Sequence, residues 1–137
     1  MTPTETLLQK ACQWLLQRYP RMIALYVFGS ASSGQRGAAS DIDLAILNSE
    51  PIEPAQLYRD ARALEATLDV DVDLVDLLAA STVLKKEVIA GGRLLYSSDR
   101  DATLDFEARV LSEYGRYREG IGPLLDAVRD SGQAYRP

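Results

Sequence analysis

A seven-residue apolar run, Met22–Phe28, limits the possible folds more than any other segment of the chain. It is rich in residues that favour strands, and Gly29 ends it abruptly. A short apolar run bounded by a glycine predicts a strand that is buried in a sheet. A second run, Asp41–Leu47, predicts another strand with an apolar face and an opposite face that begins with two aspartates.

Helical patterns lie before, between and after these strands. Thr2-Pro3-Thr4-Glu5 is typical of a capping box with proline in the first turn, and the helix that follows should end before Pro20. Periodicity and turn residues then predict a helix over 57–68, a strand over 70–75, a helix over 81–90, a short strand over 93–96 and a helical region over about 100–130. We therefore expect one α/β (α+β) domain over residues 1–137, with a single small mixed sheet and flanking helices.

The composition excludes several kinds of chemistry. The chain has no histidine, so imidazole bases, Ser-His-Asp nucleophiles and histidine-ligated zinc are ruled out. Its single cysteine, Cys12, cannot form an internal disulfide and favours a reducing compartment. No leader or membrane-spanning pattern is present, so we expect a cytoplasmic protein. The net charge of −5 argues against direct nucleic-acid binding.

The acidic residues concentrate where the second strand begins. Between Asp41 and Asp76 the chain has ten acidic and two basic residues, so the negative charge is local. Asp41 and Asp43 should project from the same strand face about 6–7 Å apart. Two such carboxylates suit Mg²⁺, which prefers oxygen ligands and often shares them with substrate phosphates. Gly29-Ser30, at the end of the first strand, is typical of a turn whose N–H groups and hydroxyl hold phosphate oxygens.

This combination of motifs resembles the minimal nucleotidyltransferase family of the DNA polymerase β-type nucleotidyltransferase superfamily. The family pattern is Gly-Ser, a loop and Asp-x-Asp, which here is Gly29-Ser30, ten residues, and Asp41-Ile42-Asp43. The resemblance covers about residues 5–96, which it implies to be the catalytic core, and it implies the polymerase β-type palm fold.

A third carboxylate is expected on a later strand. From periodicity alone Asp69, Asp71 and Asp73 share a face, and the residues themselves do not choose among them. The family places this carboxylate in a setting that Val72–Val75 matches best, so the resemblance favours Asp73 over Asp71. Lys85 and Lys86, on the following helix, are predicted to be an exposed pair.

The resemblance also implies an activity. The protein would transfer AMP from ATP to a hydroxyl, with Asp41 and Asp43 holding two Mg²⁺ ions and Asp73 completing the second site and assisting deprotonation. Gly29 and Ser30 would seat the outgoing phosphates.

Small stand-alone members of the family resemble the antitoxin of HEPN/MNT toxin–antitoxin modules, classed as type VII. Such an antitoxin adds AMP to a tyrosine of a HEPN-domain ribonuclease toxin, with which it forms a hetero-oligomer. The acidic segment between Asp41 and Asp76 would suit a basic partner. Two alternatives stay open: an antitoxin that neutralises its toxin by binding alone, and a stand-alone nucleotidyltransferase that modifies a small molecule such as an antibiotic.

Overall fold

The computed structural model describes residues 2–29 and 42–120. Within these residues helices and strands alternate much as the sequence predicts. In chain order the elements are α1 (Pro3–Arg18), β1 (Met22–Phe28), β2 (Ile42–Asn48), α2 (Pro54–Leu68), β3 (Val72–Asp76), α3 (Thr82–Gly91), β4 (Arg93–Ser97) and α4 (Arg100–Gly120). None of the helices in this part of the chain is long and apolar enough to cross a membrane.

The four strands form one mixed sheet in the order β3-β2-β1-β4. β1 pairs antiparallel with both β2 and β4, whereas β2 and β3 are parallel. The predicted mixed sheet with flanking helices is therefore confirmed. β1 and β2 occupy the two central positions, which explains the nearly continuous apolar sequence of β1.

Each face of the sheet is covered by a pair of helices. On one face, alternate residues of β1 and β2 pack against α1 and α2 in a core that includes Leu8, Leu15, Leu25, Leu44 and Leu64. On the other face, the intervening residues pack against α3 and α4 in a core that includes Ala24, Tyr26, Ala45, Val88 and Phe106. Because side chains alternate along a strand, the aspartate face of β2 is the face covered by α3 and α4.

The first helix begins as its sequence predicts, with one difference. The Thr2 hydroxyl accepts a hydrogen bond from the Glu5 backbone N–H at 3.1 Å, which is the expected N-cap. The Glu5 carboxylate, which a capping box would direct back to Thr2, instead accepts a 2.6 Å hydrogen bond from Arg93 of β4. A partner distant in sequence has replaced the local one.

Two predicted boundaries need correction. The third strand begins at Val72, not at residue 70, because Asp69 ends α2 in a left-handed conformation with φ 57° and residues 69–71 form the connection. The second helix begins earlier than predicted, at Pro54, where the Glu53 side chain caps it. The predicted start of the second strand at Asp41 and the helical segment expected beyond Gly120 lie outside the described residues.

Candidate active site

Gly29 forms one side of the candidate site, directly after β1. Its φ of +70° lies in the left-handed region, which glycine adopts without a steric penalty. A Cβ atom at this position would lie 2.5 Å from Oδ2 of Asp43, on the neighbouring strand. The Asp43 carboxylate therefore packs directly against the Gly29 backbone. A side chain at position 29 would be strained by the backbone conformation and would displace this carboxylate.

Asp43 and Asp73 lie side by side on two parallel strands. Asp43 of β2 is in register with Asp73 of β3 and, on its other side, with Phe28 of β1. Neighbouring strands are about 4.7–4.9 Å apart, and paired residues project from the same face. Asp43 is half-buried and Asp73 is exposed. The two side chains are thus neighbours on the sheet face that α3 and α4 partly cover, an arrangement that suits the binding of one cation.

Asp69 and Asp71 precede β3 and are not part of the strand that carries Asp73. Asp71 precedes β3, and its carbonyl accepts a 2.9 Å hydrogen bond from the Ile42 N–H. Both aspartates line a groove beside α2, together with Arg62 and Glu65. The prediction that Asp69 shares a strand face with Asp73 is wrong, because Asp69 is the C-cap of α2. Of the three candidates for the third carboxylate, Asp73 is the one in register with Asp43.

Ser30 and Asp41 lie outside the described residues, so their predicted places in the site stay predictions. Within residues 2–29 and 42–120, no group of three or more acidic, cysteine or histidine side chains is close enough to hold a metal ion. The in-register pair Asp43 and Asp73 fits a divalent cation in its donor chemistry, since both supply carboxylate oxygens. A further ligand must come from another residue or from the substrate.

Two other carboxylates of the acidic segment have structural roles. Asp76, which is buried at the end of β3, accepts hydrogen bonds from the N–H groups of Ile52 at 2.9 Å and Leu78 at 3.0 Å. Asp60 of α2 is also buried and binds Arg18 Nε at 2.9 Å and the Tyr19 hydroxyl. Burial and the hydrogen bond to Asp60 raise the pKa of Tyr19. The acidic segment therefore combines candidate ligands with carboxylates that stabilise the fold.

The lysines of α3 are less accessible than predicted. Both Lys85 and Lys86 are half-buried. The Lys86 ammonium lies 5.0 Å from the centre of the Tyr114 ring of α4, in a cation–π contact that joins the two helices on this face.

Sequence reasoning overlooked Arg62 and Glu65, which bind the backbone of Val72, the residue before Asp73. Their i, i+3 spacing on α2 was the available signal. Nothing in that spacing, however, indicates a strand backbone as the partner.

The fold and the paired carboxylates beside a left-handed glycine define a nucleotidyltransferase. The family model described as "Polymerase beta, Nucleotidyltransferase" matches residues 10–101. The chain belongs to this family.

Particular relatives are similar over most of the chain. The protein adenylyltransferase MntA of Shewanella oneidensis is 34% identical over 119 residues, which are 87% of this chain and 85% of MntA. A chain of a crystal structure of the toxin–antitoxin with AMP-PNP superimposes with a TM-score of 0.82 at 34% identity, covering 88% of this chain and 97% of that one. A structure of the tri-AMPylated HEPN toxin of Shewanella oneidensis in complex with the MNT antitoxin contains a chain that matches with a TM-score of 0.79 at 31% identity, covering 92% of this chain and 98% of that one.

Proposed function

We propose that this protein transfers AMP from ATP to the hydroxyl of a tyrosine in a cognate HEPN-domain toxin, and so acts as the antitoxin of a type VII toxin–antitoxin pair. The observation that carries the proposal is the in-register pair of Asp43 and Asp73, with Asp43 packed against Gly29. The similarity to the adenylyltransferase MntA and to toxin–antitoxin structures supports ATP as the substrate and a toxin as the acceptor. The location in the cytoplasm stays a prediction from the sequence.

In the proposed mechanism Asp41, Asp43 and Asp73 hold Mg²⁺. The cation, when bound, neutralises the charge of the triphosphate. Gly29 and Ser30 orient the outgoing phosphates through backbone and hydroxyl donors. Asp73 is exposed and can receive the proton of the acceptor hydroxyl.

The balance of the reaction is simple. A bond forms between the tyrosine oxygen and the α-phosphorus of ATP, the bond from that phosphorus to the bridging oxygen breaks, and pyrophosphate leaves. Positioning and charge neutralisation supply most of the rate enhancement in such transfers, so a site without histidine suffices.

The test is transfer of labelled AMP from ATP to the candidate toxin in the presence of Mg²⁺. We expect label on the toxin with the native protein, and its loss in Asp43→Asn and in Asp73→Asn. Asp69→Asn is the matched control, because it removes one carboxylate from the same acidic segment and asparagine tolerates the left-handed conformation of position 69. This control should transfer AMP at the native rate.

The outcomes separate the proposal from its alternatives. If the toxin is neutralised without acquiring label, the proposed AMP transfer is wrong and the protein inhibits the toxin by binding. Label on an aminoglycoside but not on protein would indicate a small-molecule transferase. Transfer at the native rate by both Asp43→Asn and Asp73→Asn would remove these two carboxylates from the mechanism.

A further inference from the structure

Val72 is the first residue of β3, which is an outer strand of the sheet formed by residues 2–29 and 42–120. The backbone hydrogen bonds from Ile42 N to Asp71 O and from Leu77 N to Ile46 O show that the odd-numbered residues of this segment direct their backbone groups toward β2. In a parallel pair the residues between them direct theirs away. The N–H and C=O of Val72 therefore point away from β2, to the side where the described residues form no further strand.

Two side chains of α2 bind both of these backbone groups. The Glu65 carboxylate accepts a hydrogen bond from Val72 N at 2.8 Å, and Arg62 Nη2 donates one to Val72 O at 3.0 Å. Arg62 and Glu65 also bind each other, with Nε to Oε1 at 2.8 Å and Nη2 to Oε2 at 3.0 Å. We call this pair the α2 clip. It supplies one donor and one acceptor to Val72, as a neighbouring strand would.

Val72 is fixed twice: the α2 clip binds its backbone, and the core buries its side chain. The Val72 side chain is fully buried on the face covered by α1 and α2. Asp73 follows it and projects from the opposite face, in register with Asp43. Because adjacent residues share a peptide plane, any rotation or slippage of Val72 would move the Asp73 carboxylate relative to Asp43.

We infer that Arg62 and Glu65 are positioning residues for the divalent-cation site, holding Asp73 beside Asp43 through the backbone of Val72. The inference rests on the proposed function only in taking Asp43 and Asp73 as cation ligands. It assigns the pair a role beyond helix stability, since both side chains also bind the backbone of a separate strand. The contacts that matter are the two hydrogen bonds to the strand.

The chain offers a matched control. Asp105 and Arg109 form an ion pair of 2.7 Å within α4, and their side chains are 60% and 74% exposed. Removal of Asp105 therefore breaks a helical ion pair that lies wholly within α4. Asp105→Ala should behave as the native protein in every assay below.

The first measurement is Mn²⁺ affinity without ATP or partner, by titration of the full chain. Glu65→Ala removes the acceptor for Val72 N–H and should weaken Mn²⁺ binding by about tenfold, the lower end of the effect of residues that orient metal ligands. Glu65→Gln keeps an oxygen acceptor and should recover most of the affinity. Amide hydrogen exchange provides an independent readout: exchange at Val72 should be faster in Glu65→Ala than in Glu65→Gln or Asp105→Ala.

A double-mutant comparison separates positioning from general destabilisation. If Glu65 acts through Asp73, adding Glu65→Ala to Asp73→Asn should not weaken Mn²⁺ binding further. An equal loss in both backgrounds, or native affinity in Glu65→Ala, would overturn the inference. Arg62→Met removes the donor to Val72 O, and provides a second test with the same expectation should Glu65→Ala fail to fold.

The results also distinguish this inference from the proposed function. A native protein that binds Mn²⁺ but transfers no AMP would refute the proposed reaction and leave the positioning role intact. Normal AMP transfer by the native protein, together with unchanged Mn²⁺ affinity in Glu65→Ala, would support the proposed reaction and refute the positioning role. Absence of Mn²⁺ binding by the native protein would overturn the positioning role.

Discussion

Gly29→Ala should reduce AMP transfer much more than it reduces the stability of the fold. The new Cβ would lie 2.5 Å from Oδ2 of Asp43, whereas ordinary contact begins at 3.4 Å, so the carboxylate must move by about 0.9 Å. Misplacement of a reacting group by about 1 Å can cost about 100-fold in rate. The left-handed conformation at φ +70° adds a conformational cost of roughly 1–2 kcal/mol to the folded state. We therefore expect a large loss of AMP transfer and a modest loss of stability.

The assay is the rate of AMP transfer at saturating ATP, measured beside the free energy of unfolding in urea. Gly91→Ala is the control, since a Cβ at that position would have no atom within 4 Å. It should keep native activity and gain up to about 1 kcal/mol, because alanine is preferred to glycine in a helix. Native activity in Gly29→Ala, or an equal loss in Gly91→Ala, would refute the role assigned to the Gly29–Asp43 contact.

Two further predictions concern buried polar groups. Asp76→Ala leaves the N–H groups of Ile52 and Leu78 without their carboxylate acceptor. The Ile52 N–H is buried, so its loss of a partner should lower the free energy of unfolding by about 1–3 kcal/mol, whereas the partly buried Leu78 N–H should contribute less. Urea denaturation measures this change, and an unchanged midpoint would contradict the prediction. Burial and the 2.6 Å hydrogen bond to Glu107 raise the pKa of Tyr26, so the folded state favours the neutral phenol. Its contribution to stability should be complete below the pKa of an unfolded tyrosine, about 10, and should fall as the pH rises further. Tyr26→Phe should therefore lose stability less steeply above this pH in urea denaturation, and parallel curves for the two proteins would show that Tyr26 is not responsible.

Local patterns account for most of the fold. The apolar run Met22–Phe28 coincides with β1, and Ser81 caps α3 as expected, with its side chain accepting from the Leu84 N–H. These features depend on neighbours within about one turn or on simple alternation, which a sequence shows directly. The start of the third strand is not visible in the sequence. Val70 continues the alternating apolar pattern and predicts a strand from residue 70, but Asp69 ends α2 in a left-handed conformation and the strand begins only at Val72.

The residues of the candidate site could also be predicted only in part from the sequence. Gly29 and Asp43 could be identified from the Gly-Ser and Asp-x-Asp spacing, and the structure brings them into direct contact. The acidic segment as a whole was a poorer guide, since Asp60 and Asp76 hold the fold together. A carboxylate that binds a cation and one that accepts backbone N–H groups are chemically identical in the sequence, and only their neighbours distinguish them.

The sequence by itself predicted a sheet with flanking helices, which the structure confirms, and it selected carboxylates, together with Gly29, as the candidate site. Periodicity left Asp71 and Asp73 both open, and the family resemblance favoured Asp73. Only the tertiary structure shows that Asp73 is in register with Asp43, and that Arg62 and Glu65 bind the strand that carries it. The physical reason is that periodicity indicates the face on which a side chain lies, whereas strand register depends on pairing between segments far apart in the chain. Register places Asp73 next to Asp43, and the periodicity of β3 alone does not show that pairing.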